Sequence, residues 1–219
     1  MFISTDDIKR LPLFTGMTES QLADITATTH FNIRHHKRGS TYIKEYDAAQ
    51  SLVLTTHGWT DIHTCSDNHG YRMVERVDSP LMIEPDKLFG LTTNYLSSYV
   101  AQTSCDTLSI SKEQLLSLFA QHLIVRLNFL NAISRQTQHY ESLPWQGNNT
   151  DPSHCITNFI KHRCRYPYGR KTLYITMQQL ADELNISRLE VSVALNQMQQ
   201  QEKIILRRGI IEVPALQIL

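Results

Sequence analysis

Residues 187–196 read SRLEVSVALN. At 3.6 residues per turn, Arg188, Leu189, Ser192, Val193 and Asn196 share one side, and Val191, Ala194, Leu195 and Met198 share the other. The first side carries groups suited to the edges of nucleobases. A guanidinium such as that of Arg188 donates a fork of two hydrogen bonds to guanine, and a carboxamide such as that of Asn196 reads adenine or touches phosphate. The Leu189 and Val193 side chains suit thymine methyls; the alternative is that they pack against a neighbouring loop or hairpin. Residues 203–213, KIILRRGIIEV, set two apolar runs around Arg207-Arg208-Gly209. Alone, such a hairpin is a solvated surface turn; beside a duplex, its two cations would meet the phosphate backbone.

These side chains need elements to hold them. Thr176 with Gln179, and Ser187 with Glu190, have the spacing of capping boxes, which mark helix starts because the side chains satisfy first-turn amides. A first helix over about 177–184 leaves only Asn185 and Ile186 before the next cap. Two short helices joined so tightly must cross steeply, which is a helix-turn-helix. Ala181 fits the closest approach, Leu180, Leu184 and Ile186 supply the inner face, and the RRG hairpin becomes a wing. Thr176 and Gln178, at the opening of the first helix, complete the set expected to face a duplex, together with Ser187, Arg207 and Arg208.

Upstream the texture differs. Thr18 and Gln21 cap a short helix. From 31 to 110, runs such as STYIKEY, SLVLTTHGW, YRMVERV and DTLSIS alternate β-branched and aromatic residues between turn signals at 37–39, 67–70 and 84–86, which suggests a β-roll or sandwich. Ser111 and Gln114 open another helix. In the longer helical pattern that follows, Leu123, Leu127, Leu130, Ser134, Thr137 and Glu141 repeat at 4-3-4-3-4, a seam for pairing two chains or for packing on the same domain. LPWQGNNTDPS, 143–153, has linker composition. The expected organisation is α+β: a β-roll over 1–120, a dimerisation helix over 121–143, a linker over 144–152 and a winged helix-turn-helix over 153–219.

Charge is balanced overall but not along the chain. Residues 151–219 hold nine Lys/Arg and six Asp/Glu (9 − 6 = +3), against 12 and 15 in residues 1–150 (12 − 15 = −3), which permits a polyanion partner for the C-terminal part. Cys65, Cys105, Cys155 and Cys164 form no CxxC pair, which argues for reduced thiols rather than a zinc or iron–sulfur cassette. No apolar run reaches the length of a membrane helix and MFISTDDIKR does not read as a secretory signal, so a cytoplasmic protein with no membrane partner is expected. His57, His63, His69 and Glu75 recur every six residues, as a cupin-like metal enzyme would need, but DNHG turns the chain at His69 and no HxH pair is present. His35 and His36 are candidate haem ligands. No catalytic or metal site is assigned.

With these pieces in place, the chain resembles the cyclic-AMP receptor protein/FNR family of bacterial transcription regulators. The similarity is densest in LADELNISRLEVSVALNQMQQQEKII, and the order LPLFTGM, KRG, β-roll, PDKLFG, long helix and winged helix agrees. The resemblance implies a roll like the cyclic-nucleotide-binding jelly roll and a homodimer on near-palindromic double-stranded DNA. It also implies an effector domain that controls the DNA-binding heads, with RNA polymerase as a further partner. Cyclic-nucleotide-binding members carry a Glu after LFG and an Arg further on. Here Leu91 takes the Glu position, and LTTNYLSSYVAQTSCDTLSIS has no Lys or Arg. A buried phosphate without a cation is costly, so cyclic AMP is not expected, no cofactor is assigned and the effector is unknown. Leu189 and Val193 replace the Glu and Arg common in the family's recognition helix, which implies a different preferred DNA sequence. The competing readings are a ligand-independent DNA-binding protein with the roll as scaffold, and the cupin-like enzyme.

Overall fold

The computed structural model describes residues 5–142 and 151–219. In chain order the helices are α1 (Thr5–Lys9), α2 (Glu19–Thr28), α3 (Lys112–Gln121), α4 (Leu123–Ser142), α5 (Pro152–His162), α6 (Met177–Leu184) and α7 (Arg188–Gln200). The strands are β1 (Asn32–His36), β2 (Thr41–Ile43), β3 (Ser51–His57), β4 (Trp59–Cys65), β5 (Arg72–Asp78), β6 (Leu81–Ile83), β7 (Ser98–Ala101), β8 (Cys105–Ser111), β9 (Lys171–Tyr174), β10 (Ile205–Arg207) and β11 (Ile210–Val213). The chain forms two compact units, Met1–Thr60 with Asp78–His139, and Asp61–Val77 with Tyr140–Leu219.

The first unit is built on an antiparallel sheet of order β1-β8-β3-β6. Its register explains its two faces. Leu52 opposes Ile110 and Leu54 opposes Leu108, while Val53 opposes Ser109 and Thr55 opposes Thr107. Because side chains alternate along a strand, the leucines and isoleucine share one face and the hydroxyls take the other. The apolar face joins Phe14, Leu22 and Ile25 from the N-terminal segment and Leu115, Leu118, Val125 and Phe129 from the helices in one core. Strands β2 and β7 pair antiparallel, with Thr41 opposite Val100. The β3–β4 turn requires glycine: Gly58 has φ 93°, and a Cβ there would lie 2.3 Å from the Ser104 carbonyl oxygen.

Helices α3 and α4 bend by 119° about His122. The Ser111 hydroxyl accepts the Gln114 amide at 3.3 Å. The expected box is only half made, because the Gln114 carboxamide pairs with the backbone of His30. Val125 and Phe129 face inward on α4; Leu123, Leu127, Leu130, Ser134 and Thr137 are all exposed. No single helix among the described residues is long and apolar enough to cross a membrane.

The second unit draws on two separate stretches of the chain. The 61–77 segment, assigned from sequence to the N-terminal domain, packs with the C-terminal residues instead. The reason is strand pairing: the sheet order β10-β11-β9-β5 makes β5 a neighbour of β9, with Arg72 opposite Tyr174, Val74 opposite Thr172 and Glu75 opposite Lys171. Met73 joins Ile156, Phe159, Leu173, Val191, Leu195 and Ile211 in this unit's core. Residues 143–150 of the expected linker lie outside the described residues, and the last part of it is helix. Asp151 caps α5 by accepting the Ser153 and His154 amides, and Pro152 takes the first helical position, where its missing N–H costs nothing.

Candidate nucleic-acid interface

Both C-terminal capping boxes form. Thr176 Oγ1 accepts the Gln179 amide at 3.2 Å while Thr176 N donates to Gln179 Oε1 at 2.9 Å. Ser187 Oγ accepts the Glu190 amide at 3.2 Å while Ser187 N donates to Glu190 Oε2 at 2.8 Å. The bond from Ser187 and the adjacent backbone hold the Glu190 carboxyl below its ordinary range. Between the helices, Asn185 adopts the left-handed conformation at φ 52° and sends its N–H back to the last turn of α6. Ala181 is buried, and its carbonyl accepts the Ile186 amide at 3.1 Å. Leu180 is fully buried, while Leu184 and Ile186 pack partly buried against the same core.

This crossing fixes the orientation of α7. Val191, Ala194, Leu195 and Met198 are buried, whereas Arg188, Leu189, Val193 and Asn196 are exposed and Ser192 is half-buried. Leu189 is 74% and Val193 58% exposed, so neither packs against a loop or the wing. Thr176 and Gln178 are exposed at the opening of α6; the Thr176 hydroxyl is committed to its cap, and Gln178 Nε2 donates to Asp182 Oδ1 at 2.8 Å. Strands β10 and β11 form the expected hairpin around Arg208 and Gly209, with Gly209 at φ 69°. The two arginines at its tip are not equivalent. Arg207 Nε contacts Glu212 Oε1 at 3.0 Å, and the other oxygen of Glu212 accepts from Arg170 at 2.6 Å. Among the described residues Arg208 and Arg188 have no ion pair. A groove of about 570 Å³ runs between the start of α6, Arg188 and the wing, with Ile175, Leu195 and Leu206 in its walls and Arg207 and Arg208 on its rim.

The other sequence candidates are engaged elsewhere. His35 Nδ1 pairs with Asp106 Oδ1 at 2.7 Å and its Nε2 with Ser104 Oγ at 3.0 Å, so both imidazole nitrogens are in use. His36 Nε2 bonds Thr107 Oγ1 at 2.8 Å and its ring stacks on Tyr42; burial lowers its pKa, followed by Arg34. Of the six-residue series, His57 ends β3 exposed, His63 is half-buried in β4 and His69 sits in a turn at φ 52°. Glu75 is fully buried and holds Lys171, which removes it from that series as a ligand.

No protein-family model and no curated protein matches this sequence. Solved structures do. The chain matches the catabolite activator protein of Thermus thermophilus at 17% identity and a TM-score of 0.52, over 92% of this chain and 93% of that one. It matches CprK complexed with OCPA at 15% identity and a TM-score of 0.53, over 91% and 93%. The fold is that of the cyclic-AMP receptor protein/FNR regulators. Both neighbours are transcription regulators rather than enzymes.

Leu91 is fully exposed. The buried Glu84 carboxylate accepts the amides of Leu96 and Ser97 at 2.8 and 3.1 Å and the Tyr99 hydroxyl at 3.1 Å. Burial and the nearby Glu84 push the Tyr95 hydroxyl up to about 12. A carboxylate already occupies these amides, and its charge would oppose a phosphate. The signal was present in the sequence as Glu84 before Pro85, but the contact depends on a fold that brings 84 beneath 96–99.

Proposed function

We propose that this chain is a homodimeric, sequence-specific DNA-binding transcription regulator. The observation that carries the reading is the outward side of α7. Arg188, Leu189 and Val193 stand exposed in the N-terminal half of the second helix of a helix-turn-helix, with Asn196 one turn further on, beside a wing whose Arg208 has no ion pair among the described residues. In such a module the second helix enters the major groove by its N-terminal residues. Arg188 and Asn196 read base edges, Leu189 and Val193 contact thymine methyls, and Thr176, Gln178, Ser187, Arg207 and Arg208 lie toward the backbone. The similarity to the Thermus catabolite activator protein supports this assignment.

The exposed leucines of α4 form the seam between two chains. A homodimer would then present two heads to half-sites one helical turn apart, and RNA polymerase is the further partner of the bound dimer. The effector is a small molecule other than a cyclic nucleotide; Glu84 and the lack of any Lys or Arg from 91 to 111 support that exclusion. The deciding experiment is selection of bound duplexes from a random pool by the full chain, followed by titration of the enriched sequence with wild type and Arg188→Ala. Enrichment of an inverted repeat, with relaxed preference at one position per half-site in the variant, is the expected result. Failure to retain any duplex at low salt would overturn the assignment.

A further inference from the structure

The β4–β5 hairpin is contiguous in sequence with the N-terminal unit but is part of the C-terminal one. Four residues of β5 pair with β9, one of those pairs is a buried ion pair, and two further contacts fasten the hairpin to α6. Glu75 and Lys171 meet at 2.7 Å with both side chains fully buried, and the same carboxylate accepts the Arg165 and Tyr166 amides at 2.8 and 3.1 Å. Arg163 stacks 3.5 Å from the centre of the Phe159 ring, donates to the Tyr71 hydroxyl at 2.7 Å and pairs with Glu183 of α6 at 3.0 Å. Gln179, the residue that closes the α6 capping box, donates its second group to the Gly70 carbonyl at 2.8 Å. The tip of the hairpin is therefore tied to the helix that opens the DNA-facing module, and its body is tied to the strand that carries the wing.

We infer that residues 61–77 are a positioning element of the DNA-binding head: β5 of the hairpin extends the wing sheet beyond β9, and Glu75 is the residue that sets its register. This rests on the DNA-binding reading of α7 and the wing. The physical argument is that β9 has β11 on one side and β5 on the other, so the wing hairpin inherits its register from β5 through two successive ladders. A buried ion pair at one rung penalises any slip, since a shift would leave Lys171 unpaired away from water. The chain passes between the two units at 60/61, 77/78 and 139/140, and the hairpin supplies two of those passages.

The test uses the full chain and amide hydrogen exchange. In the wild type, residues 72–75 and 171–174 are expected to exchange as one cooperative group. Glu75→Gln should lower protection of both at least tenfold while leaving β3 and β8 unchanged, and should weaken duplex binding by a similar factor. Replacing the pair together, Glu75→Leu with Lys171→Met, should recover part of both losses, because it leaves no lone buried charge while the Arg165 and Tyr166 amides still lose their acceptor. If Glu75→Gln unfolds the whole chain, cysteines at the facing positions Val74 and Thr172 decide the matter: a disulfide forming in the folded protein on mild oxidation upholds the pairing, and its failure to form overturns it. Independent exchange of the two strands would also overturn it. Unchanged duplex affinity in a Glu75→Gln chain that has lost the protection would defeat the positioning role. The exchange and cross-linking results stand whether or not a duplex binds, so failure of the DNA reading remains separately visible.

Discussion

Two helices of this molecule leave aliphatic side chains in water, and they do so differently. On α4, Leu123, Leu127 and Leu130 are 57%, 47% and 51% exposed and follow one another at alternating spacings of four and three. On α7, Leu189 and Val193 are about as exposed, but Arg188, Ser192 and Asn196 stand among them and two wing arginines lie close by. A seam of leucines without donors suits another apolar helix, because burial alone stabilises it. A face that mixes methyls with hydrogen-bond donors suits a surface with both methyls and acceptors, which is the floor of a major groove. Hydrophobicity alone does not name a partner; the polar groups between the aliphatic ones do.

This contrast can be broken by substitution. Leu127→Glu places a charge in the middle of the α4 seam and should have the largest effect, converting dimer to monomer across micromolar concentrations in sedimentation equilibrium. An unchanged mass would remove α4 as the contact. Arg188→Ala should leave the dimer intact and weaken specific binding by about 1–3 kcal/mol, measured by titration of the selected duplex. Ser187→Ala, which deletes the α7 cap, should cost about 1 kcal/mol of stability in thermal or urea unfolding. At the wing, Arg207→Ala with Arg208→Ala should flatten the dependence of affinity on salt without altering base preference, and Arg208→Ala alone should account for more of that loss than Arg207→Ala. A changed base preference would show that the wing reads sequence. The smallest effect concerns pH. The folded state holds the Glu190 carboxyl below its ordinary 4.5, so its contribution to α7 is complete above that value and is lost as pH falls through the lower folded-state value. A Glu190→Gln chain should show a shallower acid-unfolding curve than wild type over that interval.

How legible these regions were follows from how local their signals are. The two C-terminal boxes, the turn at Asn185 and the RRG hairpin are each specified within a few residues, and the structure forms each of them. The α7 faces followed from periodicity alone. By contrast, KTLY at β9 begins with a lysine, which ordinarily reads as a solvated position, and nothing near it announces that Glu75 lies opposite. That pairing spans 96 residues, and only a folded chain displays it. The box expected at Ser111 was half right for the same reason, since Gln114 found a distant backbone partner at His30. The turn expected from DNHG at His69 does form, so the six-residue histidine spacing, which survives only along one straight strand, is interrupted there.

Glu212 binds Arg207 with one oxygen and Arg170 with the other, so the wing already contains an anion of its own. A phosphate arriving at the tip must compete with this internal carboxylate for Arg207, whereas Arg208 is available at once. On the DNA-binding reading, the wing then discriminates against weak or fleeting polyanions and engages fully only where the rest of the head holds a strand in place long enough for the exchange.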